Sequence, residues 1–142
     1  MSHKITKLSD DDYARLANFR YSLRCFFEFS AKAAENEGVT MQQHQALLGI
    51  RGNPNPPTHV GYLAEFLRIR PNTAAELSKR LEAAGLITRT INASDRRAMD
   101  LELTEEGLTK LEALTHAHRK ELSQLKPGFL ELIESLNPEG TD

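Results

Sequence analysis

Apolar residues in the first part of the chain recur at three- and four-residue steps. Tyr13, Leu16, Phe19 or Arg20, Leu23, Phe26, Phe27, Ser30 and Ala34 mark one side of a helix from about Asp10 to Glu37. Ser9 is placed to cap it, Asp10-Asp11-Asp12 suits the positive end of its dipole, and Gly38 closes it. Thr40 with Gln43 three residues on is a capping-box signature, opening a short helix through Ala46, Leu47 and Ile50 that Gly52 ends. Asn53-Pro54-Asn55-Pro56-Pro57 then reads as a stiff loop, because its prolines lack donors and fix the backbone. It delivers the chain to Thr58, read here as the cap of the next helix.

Two short helices follow with the spacing of a helix-turn-helix. Leu63, Ala64 and Leu67 share one face of the first; Ala74, Leu77, Ser78 and Leu81 share one face of the second. Arg68-Ile69-Arg70 breaks the pattern between them. A steep crossing needs a small residue at the contact, which Ala64 supplies, and an apolar plug in the turn, which Ile69 supplies. The outer face of the second helix carries Asn72, Glu76 and Lys79, flanked by Thr73 and Arg80. That face has the hydrogen-bonding groups a helix needs to read base edges in the major groove.

After Gly85, a left-handed capping position with Leu86 as its apolar partner, the period changes to that of strands. Leu86 to Ile91 and Met99 to Leu103 read as a hairpin, joined by a polar loop, Asn92 to Ala98, that contains Asp95-Arg96-Arg97. A hairpin directly after a helix-turn-helix makes a wing, and arginines at its tip suit a narrow minor groove. Asp95 is placed to hold one guanidinium in a fixed orientation. Thr104-Glu105-Glu106 caps a further helix through Leu108, Leu111, Leu114, Leu122 and Leu125. Pro127 is expected to interrupt it, leaving Phe129, Leu130, Ile133 and Leu136 on a last short helix and 137–142 frayed.

Composition narrows the reading. The chain has 142 residues, one cysteine, no tryptophan and a formal net charge of −2. The charge is uneven: residues 104–142 carry four Lys/Arg against eight Asp/Glu, while residues 58–103 carry seven against six. The acidic excess is therefore placed away from the candidate reading face. No apolar run approaches the roughly 18 residues of a membrane span, and no signal-peptide h-region opens the chain. With a lone Cys25, this implies a cytoplasmic protein, nucleoid-associated when bound to DNA.

With these elements in order, the chain resembles the MarR (multiple antibiotic resistance regulator) family of transcription factors. The residues that carry the resemblance are Val60-Gly61-Tyr62-Leu63-Ala64-Glu65-Phe66-Leu67, Pro71-Asn72-Thr73-Ala74-Ala75-Glu76-Leu77 and Arg80-Leu81-Glu82-Ala83-Ala84-Gly85-Leu86-Ile87. Asp95-Arg96-Arg97-Ala98 and Leu103-Thr104-Glu105-Glu106-Gly107 extend it, so that it covers roughly residues 10–136. The resemblance implies a mainly α (α+β) fold: a winged helix-turn-helix core at 58–103, N-terminal helices at 1–57 that comprise a dimerisation part and a support helix, and C-terminal dimerisation helices at 104–142. It implies a homodimer on a pseudo-palindromic operator in double-stranded DNA, usually a repressor released by a small ligand or an oxidant. Asn72, Thr73, Glu76, Lys79 and Arg80 would face the major groove, Arg97 the minor groove and Arg96 a phosphate, with Asp95 as the anchor of Arg97. The chain departs from general helix-turn-helix patterns at Arg68, where glycine is frequent, and in its proline-rich loop.

Other readings stand beside this one. Some winged helices bind proteins instead of DNA. Cys25 is either a thiol sensor or a small apolar residue in a core or interface; Arg24, adjacent on a helix, does not face it. His44, His59, His116 and His118 do not form a metal pattern, since His116 and His118 are two apart on a helix, and His3 lies in a loose tail. Phe19, Phe26, Phe27 and Phe29 suit a core, a dimer interface or an aromatic-ligand pocket equally. The absence of a phosphate loop, a nucleophile elbow or paired metal ligands points away from an enzyme, and no cofactor is implied. Asn92-Ala93-Ser94 matches a glycosylation sequon and is read as wing loop only.

Overall fold

The computed structural model describes residues 7–136; His3 and the chain end at 137–142 lie outside the described residues. In chain order the elements are α1 (Asp10–Asn36), α2 (Met41–Arg51), α3 (Val60–Leu67), α4 (Pro71–Ala83), β1 (Ile87–Ile91), β2 (Met99–Leu103) and α5 (Glu105–Ser135). The two strands form an antiparallel ribbon in which Ile87 faces Leu103, Arg89 faces Leu101 and Ile91 faces Met99.

The helix boundaries follow the capping chemistry. At α1, the Asp12 backbone N–H donates to Ser9 Oγ at 3.2 Å, and the Ser9 N–H donates to Asp12 Oδ2 at 2.8 Å. At α2 the Thr40–Gln43 capping box is complete. Three helix ends share one reversal. Gly38, Arg68 and Gly85 have φ of 75°, 57° and 76°. After each, the next N–H reaches back five residues at 3.0 Å: Val39 to Ala34 O, Ile69 to Ala64 O, Leu86 to Leu81 O. This is the Schellman arrangement, which turns the following apolar side chain onto the helix it leaves.

Two expectations are corrected. Thr58 does not cap α3; His59 holds that position, without a side-chain cap bond. Thr58 instead pairs with β2, accepting the Leu101 N–H at 2.8 Å, and is only 2% exposed. Its hydroxyl accepts from Asn53 Nδ2 at 2.8 Å, so a buried polar group is satisfied where a strand edge needs cover. Nor does Pro127 end the last helix: α5 runs through it to Ser135. Pro127 and Ser123, whose carbonyl loses its helical donor, are both exposed, so water can solvate the freed group. The more sheltered positions Leu125, Phe129 and Leu132 keep helical spacing across the proline.

The chain divides into two compact units: residues up to Ser30 with those from His118 onward, and Ala31–Ala117. The second holds the main core, in which Ala34, Leu47, Leu63, Leu77, Leu81, Ile87, Leu101 and Leu114 are buried together, with Ile69 packed against them. Within it α3 packs on α4 and α2, and the ribbon packs on α2, α3 and α4. In the first unit, Phe19 and Phe129 meet edge-on at 5.0 Å, and the His118 ring lies 5.7 Å from Phe26 and 5.5 Å from Phe29.

Candidate nucleic-acid interface

The α4 helix divides as its spacing predicts. Ala74, Leu77, Ser78 and Leu81 are buried, and the Ser78 hydroxyl is satisfied by the Ala75 carbonyl at 2.7 Å. Asn72, Thr73, Glu76, Lys79 and Arg80 are all exposed on the other side. Glu76 and Lys79 pair at 3.4 Å, with side chains 63% and 57% exposed. An ion pair this open contributes little to stability, so both groups can exchange it for another partner at small cost. Arg80 forms no ion pair among the described residues. Gln42, in the first turn of α2, joins Asn72, Thr73, Glu76 and Arg80 around a shallow groove of about 310 Å³. The sequence alone gives this helix only a supporting role. An exposed glutamine beside a capping box is the signal that pointed there.

The ribbon is fixed to the helix pair at both strands. Glu82 of α4 accepts the Arg89 backbone N–H at 3.2 Å, and its second oxygen lies 3.8 Å from the Arg89 guanidinium. On the other strand, Thr58 pairs with Leu101. At the tip, Asp95, Arg96 and Arg97 are exposed. The Asp95 carboxylate accepts the backbone N–H of Arg97 at 3.0 Å; among the described residues it pairs with neither guanidinium. Its hold on Arg97 is thus through the main chain, in an Asx turn, and neither arginine head has an ion-pair partner among the described residues. Asn92 and Asp100 also organise this loop, Asn92 Nδ2 donating to Asp100 Oδ1 at 2.9 Å; the sequence marks Asn92 only as wing loop and gives Asp100 no role.

Thr104, at the start of α5, donates from its hydroxyl to Gly85 O at 2.6 Å and accepts the Gly107 N–H at 3.1 Å. Gly107 thereby passes directly over the Leu86 carbonyl, where a β-carbon would overlap it. The Leu-Thr-Glu-Glu-Gly segment is therefore a joint between the end of α4, the ribbon and α5.

In the first unit Cys25 is half-buried, one helical turn after Tyr21. The neighbouring Cys25 side chain, with partial desolvation and the Glu28 charge, raises the Tyr21 pKa above its ordinary value. His118 Nε2 is 2.7 Å from the buried Ser30 hydroxyl. Among the described residues, no three His, Cys, Asp or Glu side chains gather as metal ligands. No helix there is long and apolar enough to cross a membrane.

A helix-turn-helix whose second helix exposes a polar face, followed by a ribbon with an arginine tip, defines a winged helix-turn-helix protein. Known proteins agree. A family model described as "MarR family" matches residues 37–98. The HTH-type transcriptional repressor MdtR of Bacillus subtilis is 31% identical over 125 residues, covering 85% of this chain and 79% of MdtR. The crystal structure of the YusO protein from Bacillus subtilis shares 28% identity and a TM-score of 0.63, over 82% of this chain and 83% of that one. The S. aureus MepR–DNA complex has the same fold, with a TM-score of 0.64 at 23% identity over 85% of this chain and 99% of MepR. The chain belongs to the MarR family of transcriptional regulators.

Proposed function

We propose that this protein is a homodimeric transcriptional repressor that binds a pseudo-palindromic operator and is released by a small aromatic ligand or another effector. Asn72, Thr73, Glu76, Lys79 and Arg80 read the major groove from α4, Arg97 enters the adjacent minor groove, and Arg96 meets a phosphate. The observation that carries this reading is the pairing of two exposed, chemically suited surfaces on one packed unit: the polar face of α4 and the unpaired arginines of the wing. MdtR, similar along most of its length, is itself a repressor.

Dimerisation is supported by the first unit, which leaves Tyr13, Leu16, Tyr21, Phe27, Leu130 and Ile133 exposed, Tyr21 and Ile133 at 64% and 60%. A stable monomer rarely presents so much large apolar surface, and a second copy would bury it. Two-fold symmetry then places the recognition helices about 34–36 Å apart, in successive major grooves.

The test is selection of duplex sites from a random pool, followed by anisotropy titration across a salt series. An inverted repeat bound more weakly as salt rises supports the reading; no enrichment overturns it. Arg97→Ala should cost about 1–3 kcal/mol of binding, the scale of one specific DNA contact, with the fold intact. Glu76→Ala should change the selected sequence, and an unchanged site profile would remove Glu76 from the reading face.

A further inference from the structure

Asn92 and Asp100 connect the wing tip to the helix-turn-helix. The Asn92 side chain uses both its ends. Its Oδ1 accepts the N–H groups of Ser94 at 2.9 Å and Asp95 at 2.8 Å, and its Nδ2 donates to Asp100 Oδ1 at 2.9 Å. The Asn92 backbone N–H donates to Ala98 O at 2.9 Å, the Ala98 N–H to Asp95 O at 3.0 Å, and the Arg97 N–H to Asp95 Oδ1 at 3.0 Å. The loop is thus closed by side-chain-to-backbone bonds centred on Asn92 and Asp95. The same Asp100 oxygen lies 3.2 Å from Nδ1 of His59, the residue that leads into α3, in contact but not aligned as a hydrogen bond. One carboxylate oxygen therefore touches both the amide that organises the wing and the entry to the helix pair.

We propose that Asn92 and Asp100 are positioning residues for the wing arginines: Asp100 holds Asn92, and Asn92 holds the backbone from which Arg96 and Arg97 project. This rests on the minor-groove role of Arg97 proposed above. A loose tip would lose conformational freedom each time it entered a groove, and that loss would be subtracted from affinity; a tip ordered beforehand avoids it. Neither residue needs to touch DNA for the effect to appear.

The charge of Asp100 makes the test sharp. Asp100→Ala removes a negative charge near a polyanion, so bulk electrostatics alone would tighten binding. The positioning role requires the opposite. With the full-length protein and a selected duplex in an anisotropy titration, Asp100→Ala should weaken binding about fivefold, a coupling expected of residues in direct contact. The exchanged pair, Asn92→Asp with Asp100→Asn, keeps the net charge and restores one donor and one acceptor across the same gap. It should bind within about twofold of wild type, since the network is rebuilt. In a background lacking both wing arginines, Arg96→Ala with Arg97→Ala, Asp100→Ala should weaken binding no further. Circular dichroism on each variant reports folding, and the exchanged pair retains a testable protein if Asp100→Ala does not fold.

Equal or tighter binding by Asp100→Ala overturns the proposal, as does failure of the exchanged pair to recover or a loss that persists when both wing arginines are gone. If Arg97→Ala itself binds as wild type, the minor-groove reading fails and takes the proposal with it. If Arg97→Ala is weak while Asp100→Ala is not, only the positioning role is wrong.

Discussion

Replacing Arg68 with glycine should make this protein more stable. The Schellman reversal after α3 forces Arg68 to φ 57° and ψ 42°, where the same reversal after α1 and α4 has a glycine. A side chain in that region brings its β-carbon against the following carbonyl, at a cost of roughly 1–2 kcal/mol. The Arg68 side chain is exposed and has no hydrogen bond or ion pair among the described residues, so its removal deletes no polar contact there. Glycine's extra freedom in the unfolded chain offsets about 0.4–1 kcal/mol of the relief. The net gain is about 0.5–1 kcal/mol. Urea unfolding at fixed protein concentration measures it: with a slope of about 1.5 kcal/mol/M, the midpoint should rise by roughly 0.3–0.7 M. Arg68→Ala, which keeps the β-carbon, should stay within about 0.5 kcal/mol of wild type, whereas branched Arg68→Val should fall below it. A midpoint for Arg68→Gly at or below wild type, with the slope unchanged, would refute the strain argument.

Gly107→Ala should destabilise by about 1–3 kcal/mol or more, because the Leu86 carbonyl already accepts the Thr104 N–H at 3.0 Å and has little room to retreat; urea unfolding would show it, and a neutral substitution would contradict the close approach. At α1, the Ser9 backbone N–H, then the Ser9 hydroxyl and the Arg15 charge, hold the Asp12 carboxyl below its ordinary pKa. A lowered folded-state value means that its capping contribution is complete above the unfolded aspartate pKa and is lost as pH falls through the folded one. Helix α1 should therefore fray at its start under acid, seen as loss of amide protection at Asp12 and Tyr13, and Asp12→Asn should remove most of that pH dependence.

Period and capping chemistry made most of the helices legible, because those signals are local. Leu63, Ala64, Leu77 and Leu81 are buried as their spacing requires, and the Thr40 box forms. Thr58 was misread for a physical reason. A threonine ahead of an apolar run carries the same local signal whether its hydroxyl caps a helix or its backbone covers a strand edge, and only the position of Leu101 decides. Pro127 was misread because a proline's cost depends on whether the carbonyl it frees meets water, which the sequence around it does not state. Asp100 escaped notice because alternation in Met99–Leu103 accounts for an outward acid without requiring any partner. For Thr58 and Asp100 the hidden factor is a contact with a residue distant in sequence, Leu101 and His59 respectively; for Pro127 it is access to water.

The same distant contacts explain why a ribbon this small can hold arginines at its tip. Two five-residue strands are marginal as an isolated hairpin. Here β1 is gripped from α4 through Glu82, β2 is covered along one edge by Thr58, and Ile87 and Leu101 are buried in the main core at 2% and 4% exposure. The strands thus share their core with α4, and a disturbance at their base should reach the recognition helix as well as the tip. The loop is different: its order comes from Asn92 and Asp95, and its link back to the helix pair passes through Asp100. Changes at the base therefore test stability, the face of α4 and the wing tip together, whereas changes at Asp100 separate the tip from the rest. A ribbon built this way can lose the order of its tip while the face of α4 keeps its shape.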